Sequence, residues 1–271
     1  MKTRSNLHTH TTYCDGRNSM EEMVQAAIAL GFRSLGFSSH AYTGASYDVC
    51  GIKKDRIDSY FAEIDSLQKK YEGQIRLYKG FEIEGYVPFI DPRLDFSIGS
   101  IHVFQTPLGL REIDNTPEIF QSAIDAFKGN VWQLLEGYFE DMVRYACTSE
   151  YDITGHFDLV TKFIEKHPMF DDSDPRYVDM AISAIDRICQ KGKIIEVNTG
   201  AIARGYRSSP YPAAFILRRI LQDKAPVTIS SDCHRASALA QSFDEAEDLL
   251  KSIGFKEQAE LTDSGFMMTA L

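Results

Sequence analysis

Short apolar runs alternate with longer amphipathic stretches along this chain. The short runs predict strands, one before His8 and the others at residues 34–38, 75–83, 96–103, 151–155, 193–197 and 227–231. The longer stretches have apolar residues at helical spacing and predict helices at residues 55–71, 116–146 (two helices), 175–190, 212–221 and 244–253. Strands that alternate with helices are typical of parallel sheets. The pattern therefore predicts an α/β fold with seven parallel strands, arranged as an open doubly wound sheet or as a barrel.

The first helix has a signal at each of its ends. Ser19 and Glu22 match a Ser-x-x-Glu capping box, in which each side chain accepts a hydrogen bond from a backbone N–H group of the first turn. The apolar run MVQAAIAL follows, and Gly31 ends the helix. We find no repeat, low-complexity tract or linker, and therefore expect one domain over residues 1–271.

Six of the seven histidines stand at or just beyond the end of a predicted strand, and three acidic residues hold similar positions. The histidines are His8, His10, His40, His102, His156 and His234, and the acidic residues are Asp15, Glu82 and Asp232. In a barrel of parallel strands, these ends meet at the carboxyl-terminal rim, where active sites are built. The placement therefore favours the barrel over the open sheet.

These residue types suggest a metal site. Imidazole and carboxylate groups are ligands of zinc, manganese and iron. Residues i and i+2 of an extended chain point to the same side, so His8 and His10 can reach one ion. A carboxylate such as Glu82 can bridge two cations. One histidine at a strand end is more often structural, but six with three acids favour ligation; His167 is interpreted as a surface or structural residue.

The formal charge of −10 limits the possible partners. The 39 acidic and 29 basic residues argue against broad binding to nucleic acids or anionic membranes, which needs a basic surface. Metal ions reverse the local field, so a phosphate substrate is still compatible. Five cysteines without a CxxC pair, no signal-peptide pattern and no bilayer-length apolar run predict a cytoplasmic protein.

The order of the candidate ligands resembles the PHP (polymerase and histidinol phosphatase) family. HTHT near the amino terminus is followed by a His, a Glu, two separate His residues and a late Asp-x-His, over the span from His8 to His234. The resemblance implies a distorted (β/α)7 TIM-like barrel of the PHP type with two or three divalent metal ions, Zn, Fe or Mn. TYCDG, GHFDLV and EVNTG followed by arginines and YP resemble the monofunctional histidinol-phosphatase branch.

The resemblance also implies how the ligands are shared among three metal positions. The first would use His8, His10, Glu82 and Asp232; the second Glu82, His102 and His156; and the third Asp15, His40 and His234. Asp15, Glu82 and His234 are the expected catalytic residues among them. Glu84 is an alternative to Glu82 on the same strand face, and the GFE arrangement favours Glu82.

The implied activity is hydrolysis of L-histidinol phosphate to L-histidinol and phosphate, in histidine biosynthesis, by a metal-activated hydroxide. The alternatives are a PHP-family phosphoesterase that acts on nucleotides or other small phosphate esters, and a non-catalytic metal-binding domain.

Several polar residues outside the ligand set are candidates for substrate contact. Arg204 and Arg207 follow the sixth predicted strand, and their guanidinium groups suit phosphate, although both are equally compatible with surface charges. Asn198 is a candidate to orient substrate, with a structural cap as its alternative. Lys162 is a weaker candidate, because a helix there would face it outward. Asp158 is predicted either to support a ligand imidazole or to cap a helix.

Overall fold

The computed structural model describes residues 4–45, 50–87, 89 and 91–271. Its strands are β1 (Arg4–Asn6), β2 (Phe32–Phe37), β3 (Arg76–Glu84), β4 (Phe96–Ser100), β5 (Val103–Thr106), β6 (Gly109–Glu112), β7 (Ile153–Thr154), β8 (Ile194–Asn198), β9 (Val227–Ser230), β10 (Glu257–Thr262) and β11 (Gly265–Ala270). Its α-helices are α1 (Met20–Ala29), α2 (Ile57–Lys70), α3 (Pro117–Ala126), α4 (Val131–Thr148), α5 (Pro175–Cys189), α6 (Gly200–Ala203), α7 (Ala214–Gln222) and α8 (Phe243–Ile253). Short 3₁₀ helices lie at Lys54–Arg56, Leu159–Thr161 and Ala236–Ala238.

Seven parallel strands form the centre of the fold in the order β1-β2-β3-β4-β7-β8-β9. The two end strands meet just beyond their last residues, where Thr9 and Cys233 form a parallel bridge. There the His10 N–H group donates to the Cys233 carbonyl oxygen at 2.9 Å. This seam nearly closes the sheet, so the predicted seven-stranded barrel is confirmed and the open doubly wound sheet is not formed.

The strands are apolar because both of their faces are covered. Every residue of β8 and β9 is buried, as parallel strands require when helices pack outside and side chains fill the inside. The helices of the outer layer are amphipathic, and the capping box predicted for α1 is present. The Ser19 N–H group donates to Glu22 Oε2 at 2.7 Å, and the Glu22 N–H group donates to Ser19 Oγ at 3.3 Å.

Apolar side chains fill the amino-terminal end of the barrel. They come from the strands and from β10, and comprise Leu7, Tyr78, Phe96, Ile98, Ile153, Ile194, Ala259 and Leu261. The Phe96 ring lies directly against two glycines of neighbouring strands. A Cβ atom would lie 2.7 Å from this ring at Gly36 and 2.3 Å from it at Gly80. With this end filled, a site inside the barrel has room only at the carboxyl-terminal end.

Four features of the chain differ from the sequence prediction. β4 ends at Ser100 rather than Val103, because the run FSIGSIHVF is apolar throughout and periodicity alone cannot locate a strand end in it. Val103 instead begins the hairpin of β5 and β6, which was not predicted, and neither was the hairpin of β10 and β11. β7 has two residues rather than the expected five.

Among the described residues, none of the helices combines the length and apolar composition that a membrane crossing requires.

Replacing Gly80 with alanine tests the packing of the barrel floor. The added methyl group overlaps the Phe96 ring, so we expect Gly80→Ala to lower the free energy of unfolding by about 1–3 kcal/mol. Urea denaturation measures the loss. In the background of Phe96→Leu, the same substitution should cost clearly less, because the ring that it meets is gone. Equal costs in both backgrounds would contradict this account of the floor.

Candidate metal centre

The Glu82 carboxylate lies at the centre of five histidines from the strand ends. Its side chain is 1 % exposed, so the contacts are shielded from bulk water. Oε2 faces three rings, at 3.2 Å from His8 Nε2, 3.5 Å from His10 Nε2 and 3.0 Å from His40 Nδ1. Oε1 faces two more, at 3.3 Å from His102 Nε2 and 3.0 Å from His156 Nε2. Both oxygens therefore face separate groups of imidazoles, the arrangement required of a bridging ligand.

Asp232 adds a second carboxylate beside the first two histidines. Its Oδ1 atom is 3.3 Å from His10 Nε2 and 3.7 Å from His8 Nε2. Asp232 has a φ of 46°, in the left-handed region that residues other than glycine rarely adopt. Backbone strain of this kind concentrates at functional sites. The barrel seam thus brings His8, His10 and Asp232 together with Glu82, as the predicted first metal position requires.

The unpaired nitrogens of these two rings fit a metal ion. His8 Nδ1 is 2.5 Å from Glu196 Oε1, and because a carboxylate only accepts, Nδ1 carries a proton and Nε2 is the nitrogen available to a metal ion. His8 Nε2 and His10 Nε2 are buried and have no hydrogen-bond partner among the described residues. Such orphaned buried atoms are rare. A cation among Glu82, Asp232 and the two Nε2 atoms would satisfy all of them.

The second group contains His102 and His156, on the other side of Glu82. His102 Nδ1 lies 3.2 Å from Glu84 Oε2, and the His102 N–H group donates to the same oxygen at 3.0 Å. Glu84 therefore orients a histidine, whereas Glu82 occupies the centre, as the sequence favoured. In the described part of the chain, the buried His156 Nδ1 has no hydrogen-bond partner.

The third group lies nearest to solvent. His234 Nε2 is 3.2 Å from Asp15 Oδ2, and His40 Nε2 is 3.8 Å from Asp15 Oδ1. The side chains of His40, His234 and Asp15 are 20 %, 25 % and 32 % exposed, whereas those of His8 and His10 are fully buried. Cys14 places its Sγ atom 3.4 Å from His10 Nδ1.

The acids of the cluster are held in their charged form. Burial alone raises the pKa of Glu82, but His8, His102 and His40 lower it well below its ordinary value. Burial likewise raises the pKa of Asp232, while Arg204 and His8 hold it well below the usual range. Both carboxylates are therefore available as anionic ligands.

The imidazoles respond in opposite directions to their shared charge. Burial lowers the pKa of His8, but Glu196 and Glu82 raise it well above its ordinary value. In the same way, Glu82 and Asp15 outweigh burial and raise the pKa of His40 to about 9. Burial and the neighbouring His40 lower the pKa of His10. In the absence of metal ions, the carboxylates therefore favour protonation of His8 and His40, and the positive charge of His40 disfavours protonation of His10. Bound cations would supply the positive charge that these carboxylates require.

Glu196 is the principal residue that the sequence analysis missed. It lies on β8, is fully buried, and accepts hydrogen bonds at both oxygens. Oε1 contacts His8 Nδ1 and accepts from Ser230 Oγ. Oε2 accepts from the His156 N–H group at 2.7 Å and from Asn198 Nδ2 at 3.0 Å. One carboxylate thus orients ligands of the first and second groups; the signal was a charged residue within the apolar strand IIEVN.

The cluster forms the floor of a cavity of about 530 Å³. Four cationic side chains line it from outside the cluster, those of Arg17, Lys162, Arg204 and Arg235. Arg204 donates to Asp232 Oδ2 at 2.9 Å. Lys162 donates to the Asp114 carbonyl oxygen at 2.5 Å and approaches Asp114 Oδ2 to 2.9 Å. The expectation that Lys162 faces outward is wrong, because a 3₁₀ turn at Leu159–Thr161, rather than a longer helix, directs it inward.

Two predicted substrate contacts are directed elsewhere. Arg207 is 7 % exposed and lies outside the cavity lining; it donates to the Thr161 carbonyl oxygen at 3.0 Å. Asn198 is fully buried, and besides its bond to Glu196 its Oδ1 atom accepts from the Gly200 N–H group at 2.8 Å. These contacts tie both residues to the surrounding chain, outside the cavity lining.

Asp158 neither contacts a ligand imidazole through a hydrogen bond nor caps a helix, among the described residues. Its Oδ2 atom accepts from the Ala213 N–H group at 3.0 Å, and the side chain forms no cap on the following 3₁₀ helix. Burial raises its pKa. Asp158 therefore ties the loop before α7 to the barrel.

The parallel barrel and the ligand cluster at its rim together define a metal-dependent barrel enzyme. A family model described as "PHP domain" matches residues 6–200 of the 271-residue chain. The chain belongs to the PHP family.

Curated relatives match over most of their length. The chain is 26 % identical over 260 residues to the histidinol-phosphatase of Bacillus subtilis (strain 168), a match that covers 88 % of this chain and 96 % of that protein. It is 27 % identical over 260 residues to a Deinococcus radiodurans protein named "Probable histidinol-phosphatase", covering 91 % and 92 %.

Two solved structures share the fold. A crystal structure from Listeria monocytogenes has a TM-score of 0.80 at 21 % identity and covers 89 % of this chain and 99 % of its own. Histidinol phosphate phosphatase from Lactococcus lactis, solved with zinc, L-histidinol and phosphate, has a TM-score of 0.75 at 20 % identity and covers 98 % and 99 %.

Substituting Glu196 tests its part in holding the ligands. Glu196→Gln removes the charge opposite His8 Nδ1, so we expect metal affinity to fall by about 10- to 100-fold. Calorimetric titration of metal-free protein with zinc measures the change, and circular dichroism checks the fold. Glu136→Gln, on the exposed face of α4, is the matched control. Unchanged zinc affinity in the folded Glu196→Gln protein would contradict this role.

Alanine variants of Arg204 and Arg207 should differ in their effects on KM and on stability. Arg204→Ala should raise the KM for a phosphate ester by about 10- to 100-fold, because a charged contact at the cavity is lost. Arg207→Ala should leave KM unchanged and lower the free energy of unfolding by about 1–3 kcal/mol. Steady-state kinetics and urea denaturation measure the two effects, with metal content determined for each variant. A raised KM in a folded Arg207→Ala protein would contradict the assignment.

Proposed function

We propose that this protein is a metal-dependent phosphatase that hydrolyses L-histidinol phosphate to L-histidinol and phosphate. The observation that carries the proposal is the Glu82 carboxylate, shared by five histidines on the floor of a cavity with cationic groups on its wall. The two curated relatives bear the name of this activity, and the Lactococcus lactis structure was solved with both products.

The proposal includes the assignment of the nine ligands. Glu82 joins a first position, with His8, His10 and Asp232, to a second, with His102 and His156; Asp15, His40 and His234 provide the third. Divalent ions in such a cluster supply Lewis-acid charge toward phosphoryl oxygens and make water acidic enough to react at neutral pH. Zinc, iron and manganese all suit this set of imidazole and carboxylate ligands.

The remaining residues bind and orient the ester. A phosphate monoester is anionic, so its approach needs positive charge beyond the metal ions. Arg204 and Lys162 provide it at the cavity wall, and their carboxylate partners Asp232 and Asp114 hold both groups in place. Preorganised charges of this kind stabilise the transition state without reorganisation during the reaction.

Asp15 and His234 stand where the cluster meets the open cavity. Their side chains are the most exposed pair among the nine ligands, and Asp15 Oδ2 lies 3.2 Å from His234 Nε2. Side chains at this boundary are accessible to the departing alcohol, whereas Glu82 is enclosed. We therefore keep Asp15 and His234 as proposed catalytic residues, and we keep Glu82 because its carboxylate faces both of the first two metal positions. Action on a small phosphate monoester rather than on nucleic acid, and a cytoplasmic location, belong to the same proposal.

A panel of esters tests the substrate directly. We expect phosphate release from L-histidinol phosphate to exceed release from nucleoside monophosphates and phenyl phosphate in kcat/KM. A preference for nucleotides would overturn the substrate and retain the chemistry. Removal of metal ions with a chelator should abolish turnover of every ester, and zinc or manganese should restore it; full activity in the chelated protein would contradict the mechanism.

Loss of the bridging carboxylate tests the centre itself. Glu82→Ala removes the one side chain shared by the first two metal positions, so we expect turnover to fall by at least about 1,000-fold. The bound metal content should fall with it, while the circular dichroism spectrum is retained. Substantial turnover by Glu82→Ala would contradict the assignment, and Glu136→Gln again serves as the control.

A further inference from the structure

One wall of the cavity is built by the hairpin of β5 and β6 and the loop that follows it. Glu112, Asp114 and Asn115 line the cavity from this wall. The segment is fixed beside the cluster because the N–H group of the buried Ile113 donates to the His102 carbonyl oxygen at 3.0 Å. Polar side chains of this segment therefore stand next to a proposed metal ligand.

Most acids that line the cavity have a cationic or imidazole partner. Asp114 pairs with Lys162, Glu84 with His102, and Asp232 with Arg204. Their charge is thus taken up within the protein.

Glu112 differs from these acids. Its Oε2 atom accepts a hydrogen bond from Asn115 Nδ2 at 2.7 Å, a neutral donor three residues along the chain. Across the described ranges, the carboxylate of Glu112 forms no ion pair with Lys, Arg or His. Asn115 therefore orients the carboxylate and leaves its charge uncompensated at the cavity wall.

We propose that Glu112 is a specificity-determining residue that binds the ammonium group of the substrate. This inference rests on the proposed function. A phosphate ester of an amino alcohol carries opposite charges at its two ends. Its phosphate is drawn to the floor and to Arg204 and Lys162, and its ammonium group then meets an uncompensated carboxylate on the same cavity surface. An ester of a neutral alcohol has no ammonium group and gains nothing from Glu112. The carboxylate therefore favours the ester of an amino alcohol over the ester of a neutral alcohol.

Glu112→Gln tests the inference, since it removes the charge and retains an oxygen that can accept from Asn115. We expect kcat/KM for L-histidinol phosphate to fall by about 10- to 100-fold, as for a lost charged hydrogen bond, with most of the change in KM. For phenyl phosphate, kcat/KM should stay within about twofold, as for a surface substitution. Calorimetry should show the same loss in affinity for L-histidinol.

Two controls keep the result specific. Glu136→Gln should behave as the unsubstituted protein with both esters, and the metal content of Glu112→Gln should equal that of the unsubstituted protein. Equal losses with both esters, or no loss with either, would overturn the role of Glu112.

Failure of the proposed function has a different signature. In that case, the unsubstituted protein hydrolyses phenyl phosphate or nucleotides and leaves L-histidinol phosphate intact. The inference is then judged on 2-aminoethyl phosphate against ethyl phosphate, which differ by the amino group. A fall in kcat/KM on Glu112→Gln that is confined to 2-aminoethyl phosphate supports recognition of the ammonium group. An equal effect of the substitution on the two esters overturns it.

Discussion

The structure depends on one buried carboxylate that must satisfy five imidazoles at once. Glu82 comes from the third strand of the barrel, and its histidine neighbours follow the first, second, fourth and fifth strands of the sheet order. A buried charge is tolerated only when it is paired. Because the partners are spread along the chain, this pairing requires the strand ends to converge, and the cylindrical sheet is the arrangement that achieves it. The site and the fold therefore impose the same geometry on the sequence.

A second layer of residues gives each ring its orientation. Glu196 holds His8 and the backbone of His156, Glu84 holds His102, and Arg204 holds Asp232. Ligands fixed in this way need little reorganisation when a cation binds, and the partner on one nitrogen decides which nitrogen is left for the metal. The side chains of Asp15, His40 and His234 are partly exposed, which separates an enclosed portion of the centre from one in contact with solvent.

The sequence predicted the parts of the molecule that follow local rules. Apolar periodicity located the strands and helices, and histidines at strand ends identified the cluster, because parallel strands bring their carboxyl ends to one rim. The direction of loop side chains follows no such rule. Arg204 and Arg207 are three residues apart, yet one reaches the cavity and the other is buried beneath the loop. Glu196 was missed because an isolated acid in an apolar strand does not show which ligand it supports. The hairpin that carries Glu112 was missed because the apolar run before it contains no residue that marks the end of a strand.

The seam of the barrel has a consequence for how the protein is maintained. The segments that close the sheet, around Thr9 and Cys233, are flanked on both sides by proposed metal ligands. Ions that bind only the native chain stabilise it by mass action. Occupancy of the centre and integrity of the barrel are thus thermodynamically linked. Metal depletion would therefore weaken the contact between the first and last strands of the barrel, and the resistance of the folded chain to unfolding would depend on the supply of metal ions.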